Sequence, residues 1–191
     1  MKRQNLIGLF LLAVFCVAPV FSQNKNEKPN FSGTWILDES KSNKALKALF
    51  KSSKNNPNLN SNEKTIHKLV IEHSEPEIKV AEIITTKSFD ENGKSIKKAE
   101  KTLPSQTYYT DKRGEQNVNE KNQPFNSISK WNDKKIFVVI PDKKENRTSV
   151  MQLSLSKDGK ELTVNYESFK STRGGVVSPL GFGNRVFNKS N

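Results

Sequence analysis

Two runs of alternating apolar residues joined by a tight turn constrain this chain more than any other feature. Met151, Leu153 and Leu155 alternate with polar residues, Lys157-Asp158-Gly159 follows, and Leu162, Val164 and Tyr166 alternate again. A period of two puts every second side chain on one face, and an Asp-Gly pair accepts the positive φ of a hairpin turn. The segment therefore predicts an antiparallel hairpin with one buried face. The same pattern recurs along the chain. Strand candidates are Phe31–Leu37, Ile66–His73, Ile78–Thr86, Ser95–Leu103, Gln106–Thr110, Phe125–Trp131, Lys135–Ile140, Thr148–Ser156, Glu161–Phe169 and Arg185–Phe187. Ser74-Glu75-Pro76, Asp90-Glu91-Asn92-Gly93 and Asn132-Asp133-Lys134 supply turns between them. Some ten strands on short turns predict an all-β, antiparallel sandwich or barrel in one domain.

Three segments stand outside that pattern. In Asn43–Lys51, Ala45, Leu46, Leu49 and Phe50 share one helical face, which predicts a short amphipathic helix after the first strand, N-capped by Ser40 or Ser42. The polar stretch 54–62 reads as a loop, and Gly174-Gly175 with Gly181-Phe182-Gly183 reads as a flexible late loop. Residues 1–22 place a basic start before a thirteen-residue apolar run, Leu6 to Ala18, and end in Ser22. That order is the one found in secretory signal peptides, and the run is too short for a membrane span of about 20 residues. Cleavage is expected after Ser22, leaving 23–191 as the exported domain, periplasmic or secreted.

Composition narrows the chemistry. The one cysteine, Cys16, lies inside the apolar run, so the exported domain has no thiol for a disulfide, a nucleophile or a metal. The first 22 residues also hold 15 of the chain's apolar residues, which lowers the apolar share of the rest from 33% to about 28%. A sheet with one buried face tolerates that poverty. The formal charge of +12 suits polyanions, but only 5 of the 32 basic residues are arginine and the lysines are scattered. The charge is therefore read as a solvated, lysine-rich surface, with no nucleic-acid partner. His67 and His73 lie six residues apart on one strand, about 20 Å at ~3.3 Å per residue. They are expected to face solvent or end the strand, with no shared metal. Acid pairs such as Glu72 and Glu75 are too common to signal a hydrolase, and no cofactor motif is present.

Phe31-Ser32-Gly33-Thr34-Trp35 resembles the Gly-x-Trp signature of the lipocalin and fatty-acid-binding (calycin) superfamily, and Arg185-Val186-Phe187 resembles its closing motif. Phe187 stands where fatty-acid-binding proteins commonly have Tyr. More closely, the chain resembles small secreted bacterial lipocalin-like proteins of uncharacterised role. These share Gly33-Thr34-Trp35, Leu37, Lys41-Ser42, Trp131-Asn132-Asp133 and the hairpin from Leu155 to Val164. The resemblance implies an up-and-down barrel of about 8–10 strands, with Gly33, Trp35 and Arg185 as its structural signature. It also implies that Arg185 lies across the ring of Trp35 at the closed end.

Two functions of different class follow. The first is a non-enzymatic container for a small apolar or amphipathic ligand, with Arg185, Tyr108, Trp131 and Tyr166 as the binding residues and the short helix as a plug over one end of the barrel or a lid at its portal. The second is a barrel filled by its own side chains that works through its outer surface on an envelope protein. In either case the protein is expected to be a monomer without a stable membrane span. Interior volume separates the two.

Overall fold

The structure, a computed structural model, describes residues 27–42, 63–171 and 177–190. The expected signal peptide, the expected helix at Asn43–Lys51, and Gly174-Gly175 lie outside them. Eleven antiparallel strands make up the described residues: β1 Gly33–Leu37, β2 Glu63–Ser74, β3 Glu77–Phe89, β4 Ser95–Thr102, β5 Gln106–Tyr109, β6 Glu115–Val118, β7 Pro124–Asn132, β8 Lys135–Asp142, β9 Arg147–Leu155, β10 Glu161–Ser171 and β11 Val177–Lys189. They form one sheet in the order β4-β3-β2-β1-β11-β10-β9-β8-β7-β6, with β5 also paired to β3. β4 and β5 occupy successive stretches of the same edge of β3, opposite Ile83–Phe89 and Glu77–Val80.

The opening hairpin sets the inward face. Leu162 pairs with Leu155, Val164 with Leu153 and Tyr166 with Met151, so the two alternations coincide on one side of the sheet. Gly159, at φ 68°, supplies the left-handed residue of the turn. On the far side of β10, Phe187 faces Leu162 and Arg185 faces Val164. Phe31, Trp35, Ile71, Ile78, Tyr108, Ile136, Val138, Leu162 and Phe187 are buried in one continuous core.

Side chains complete the ring where the backbone ladder stops. Between β5 and β6, the Thr107 N–H donates to Asn117 Oδ1, and Asn117 Nδ2 donates to the Thr107 carbonyl, each at 2.8 Å. The buried Asn117 amide thus substitutes for a pair of strand hydrogen bonds. A single bridge between Asp111 and Lys130 supports the same seam. Asn117→Ala would leave two backbone groups without partners, and we expect a loss of about 2 kcal/mol. Urea unfolding followed by circular dichroism checks this; a loss below about 0.5 kcal/mol would show that the seam is not held by this residue.

The structure departs from the expected elements in two places. β6 was not anticipated, because Glu115-Gln116-Asn117-Val118 has one β-branched residue and is held by its partners rather than by propensity. Gly181-Phe182-Gly183 is not a loop: it lies within β11, paired to Ser168, Glu167 and Tyr166 of β10. A register shift beside Ser168 absorbs Leu180 and lets Pro179 sit opposite Phe169, as bulges commonly do.

Candidate ligand-binding site

The closed end of the barrel is solid. Trp35 is 0% exposed and donates from Nε1 to the Phe31 carbonyl at 3.0 Å. The cation above its ring is Lys189 Nζ, 5.4 Å from the centroid, and not the expected Arg185. Register explains the exchange: Trp35 pairs with Lys189, whereas Arg185 lies past the end of β1, two positions beyond Leu37↔Phe187. Gly33 has φ 145°, and a Cβ there would come 3.1 Å from Lys189 Cε, so glycine leaves room for the lysine to cross the indole. Arg185 instead lies over Phe187, at 4.9 Å.

Trp131, expected in the cavity wall, belongs to this closed end as well. Its ring meets Phe31 at 5.9 Å and His73 at 6.0 Å, and its Nε1 donates to Glu75 at 2.7 Å. Lys28 covers it at 5.2 Å. The turn carboxylate Glu75, which also accepts from Thr110 Oγ1 at 2.7 Å, draws the indole away from the interior. His73 is not solvent-facing either. Its Nδ1 accepts the Phe31 N–H at 3.1 Å, which leaves Nε2 to donate to Glu75 at 3.2 Å. The histidine is the clasp that fixes the segment leading into β1. Ser42, one of the two candidate caps, is also buried. Its hydroxyl donates to the Asp38 carbonyl at 2.7 Å and accepts the Val186 N–H at 3.1 Å.

Above this floor the interior holds a cavity of about 580 Å³. Leu69, Ile71, Val80, Met151, Leu153 and Val164 give it apolar walls. Arg185, Tyr108 and Tyr166, three of the four binding residues expected from sequence, line it. Tyr166 presents 38% of its surface, yet burial pushes its hydroxyl pKa upward. The two facts agree because that surface is cavity wall. Tyr108 is buried, hydrogen-bonds Gln106 through its hydroxyl, and likewise has its pKa raised by burial. Phe182, 71% exposed, stands at the mouth.

The polar centre of the cavity rests on a residue that sequence reading passed over. Glu82 of β3 accepts from Arg185 Nη1 at 3.2 Å and Nη2 at 2.5 Å, a bidentate pair. His67 Nδ1 lies 3.0 Å from the same carboxylate. Tyr166, the diagonal neighbour of Arg185 across β10 and β11, lies close enough to bear on the ionisation of the guanidinium. Burial alone would raise the Glu82 pKa, but hydrogen bonds from His67 and Arg185, with the guanidinium charge, bring it down to about 2. His67 therefore points inward, contrary to expectation, because it shares the phase of Leu69 and Ile71 on β2. The signal was present in the sequence: Glu82 falls in step with Ile78, Val80 and Ile84, a carboxylate on an apolar face.

An antiparallel, up-and-down ring of strands around an internal cavity is the architecture of the calycin barrels. No protein-family profile matches the sequence, and no curated protein matches it. Solved structures do. The apo form of lipid binding protein 8 from Caenorhabditis elegans covers 84% of this chain and 95% of its own, at 15% identity and a TM-score of 0.50. Secretory abundant heat soluble protein 4 from Ramazzottius varieornatus covers 87% and 98%, at 15% identity and a TM-score of 0.49. A fatty acid binding protein of Schistosoma mansoni, solved with arachidonic acid, covers 84% and 96%, at 15% identity and a TM-score of 0.47. At such identities the likeness to the nematode protein establishes the shared fold.

Proposed function

We propose that this protein is a non-enzymatic container that holds one small apolar or amphipathic molecule inside its barrel. The observation that carries the reading is the cavity of about 580 Å³, within the range of small-molecule sites, with apolar walls and a few convergent polar groups. An adaptor working through its outer surface needs no such void. The name of lipid binding protein 8, which shares the fold, agrees with a lipid-like ligand. The chain acts as a monomer after export, in the periplasm or outside the cell, with residues 1–22 removed as a signal peptide; the basic start and apolar run of that segment support this. Native mass spectrometry of protein purified gently from its own host tests both parts. The expected spectrum shows a chain starting at Gln23 with a lipid-sized adduct that organic extraction removes. A bare polypeptide that also binds no added hydrophobic dye would refute the container.

A further inference from the structure

We infer that the polar end of the ligand carries no net charge, so that the cavity selects an uncharged amphipath, such as a long-chain alcohol, ester or amide, over a free carboxylate. This rests on the container reading above and names the class of molecule the same site would take.

Among the described residues that line the cavity, Arg185 is the single cation, and its charge is already matched. Both terminal nitrogens of the guanidinium are engaged by Glu82, and His67 sits on the same carboxylate. A second carboxyl group, Glu115, lies behind the wall. It accepts from Ser127 Oγ at 3.1 Å and from Ser129, two serines buried on β7, and its Oε2 is buried without a hydrogen-bond partner among the described residues. It is near enough to Tyr108, a cavity residue, to bear on that phenol's ionisation. At the polar centre one guanidinium is thus matched by one carboxylate, while Glu120, the other acid on the lining, is exposed to solvent.

A ligand carboxylate entering this space has two courses, and both are costly. It can share Arg185 with Glu82, which sets two like charges around one cation. Or it can displace Glu82, which then stands among Leu69, Ile71 and Val80 with His67 but without its bidentate cation, a carboxylate poorly compensated in an apolar interior. A neutral head group meets neither difficulty. Arg185 Nε is buried and without a hydrogen-bond partner among the described residues, and the Tyr166 hydroxyl lies alongside the same guanidinium. That nitrogen has no exposed surface, so a ligand hydroxyl or carbonyl oxygen meets instead the Tyr166 phenol of the cavity wall, and can accept from it without disturbing the Glu82 pair. Neutralisation of the cavity's own cation, more than its shape, decides the head group.

Three ligands with one hydrocarbon tail separate the outcomes: oleyl alcohol, oleic acid and oleylamine, each displacing the neutral dye Nile red from the full exported domain at neutral pH. We expect the alcohol to bind at least tenfold more tightly than the acid, and more tightly than the amine. Glu82→Gln releases the Arg185 charge, and the preference between alcohol and acid should then reverse; circular dichroism confirms that the variant is folded. If Glu82→Gln does not fold, the comparison on the unaltered protein decides alone. Acid binding as tightly as alcohol overturns the inference and leaves the container intact. A preference for the amine also overturns it, because the interior would then be read as net negative. If no ligand binds and Nile red stays dark, the container reading fails and the inference falls with it.

Discussion

Trp35→Ala should remove a large share of the stability of the fold. Removing a large buried aromatic side chain costs about 3–5 kcal/mol, against a total of roughly 5–15 kcal/mol for a domain of this kind. Three consequences add here. The indole is wholly buried in the same core as Phe31 and Phe187, both also without exposure, so the void opens inside the packed floor. The Phe31 carbonyl loses the Nε1–H that satisfies it. Lys189 loses the ring it crosses, and with it the reason β11 closes on β1 at this level. Urea unfolding should show a loss of 4 kcal/mol or more, by the scale of such truncations. Trp35→Phe retains the packing but not the donor, and should cost about 1–2 kcal/mol. A truncation that costs under about 1 kcal/mol would mean that the closed end does not hold the barrel together.

Arg185→Leu is expected to be nearly as damaging, for an electrostatic reason. It leaves the Glu82 carboxylate in the interior with His67 but without its bidentate partner, and breaking a buried pair from one side costs about 3 kcal/mol. Removing both charges together, in Glu82→Leu with Arg185→Leu, should return stability to within about 1 kcal/mol of the unaltered chain, because the desolvation cost disappears with the attraction. The pair also predicts a pH window. The folded Glu82 pKa is about 2, below the ordinary glutamate value of 4.5 that it takes when unfolded. Its contribution is therefore fully present above pH 4.5 and is lost as pH falls from 4.5 towards 2. Denaturant unfolding at a series of acid pH values should show that decline, and the Glu82→Leu/Arg185→Leu chain should lack this part of it. A double variant as unstable as Arg185→Leu alone would show that the arginine acts through packing and not through charge.

The site was partly legible in the linear chain. Arg185, Tyr108 and Tyr166 stand on strand faces whose alternation can be counted, and the structure brings all three to the cavity. Trp131 obeys the same alternation, yet it sits near the turn, where Glu75 and His73 hold it at the floor. Alternation tells which face a residue occupies, but not how far along the barrel axis it lies. Glu82 and His67 were countable too, in phase with apolar neighbours, but a buried carboxylate makes sense only once its partner is known. That partner is Arg185, 103 residues away.

By itself the sequence determined most of the strands and the tight turns, because a period of two and Asp-Gly or Asn-Gly turns act within a few residues, while the up-and-down order rested on the resemblance to the calycin barrels. It also determined the basic, thiol-free surface chemistry of the domain. Tertiary structure alone decided three things. Lys189 and not Arg185 crosses Trp35, since register between the first and last strands is set by closure. A side-chain amide, Asn117, seals the seam where two short strands fail to pair. The barrel is hollow, with its cation already neutralised, because volume and charge balance are sums over the whole interior and no local segment carries them.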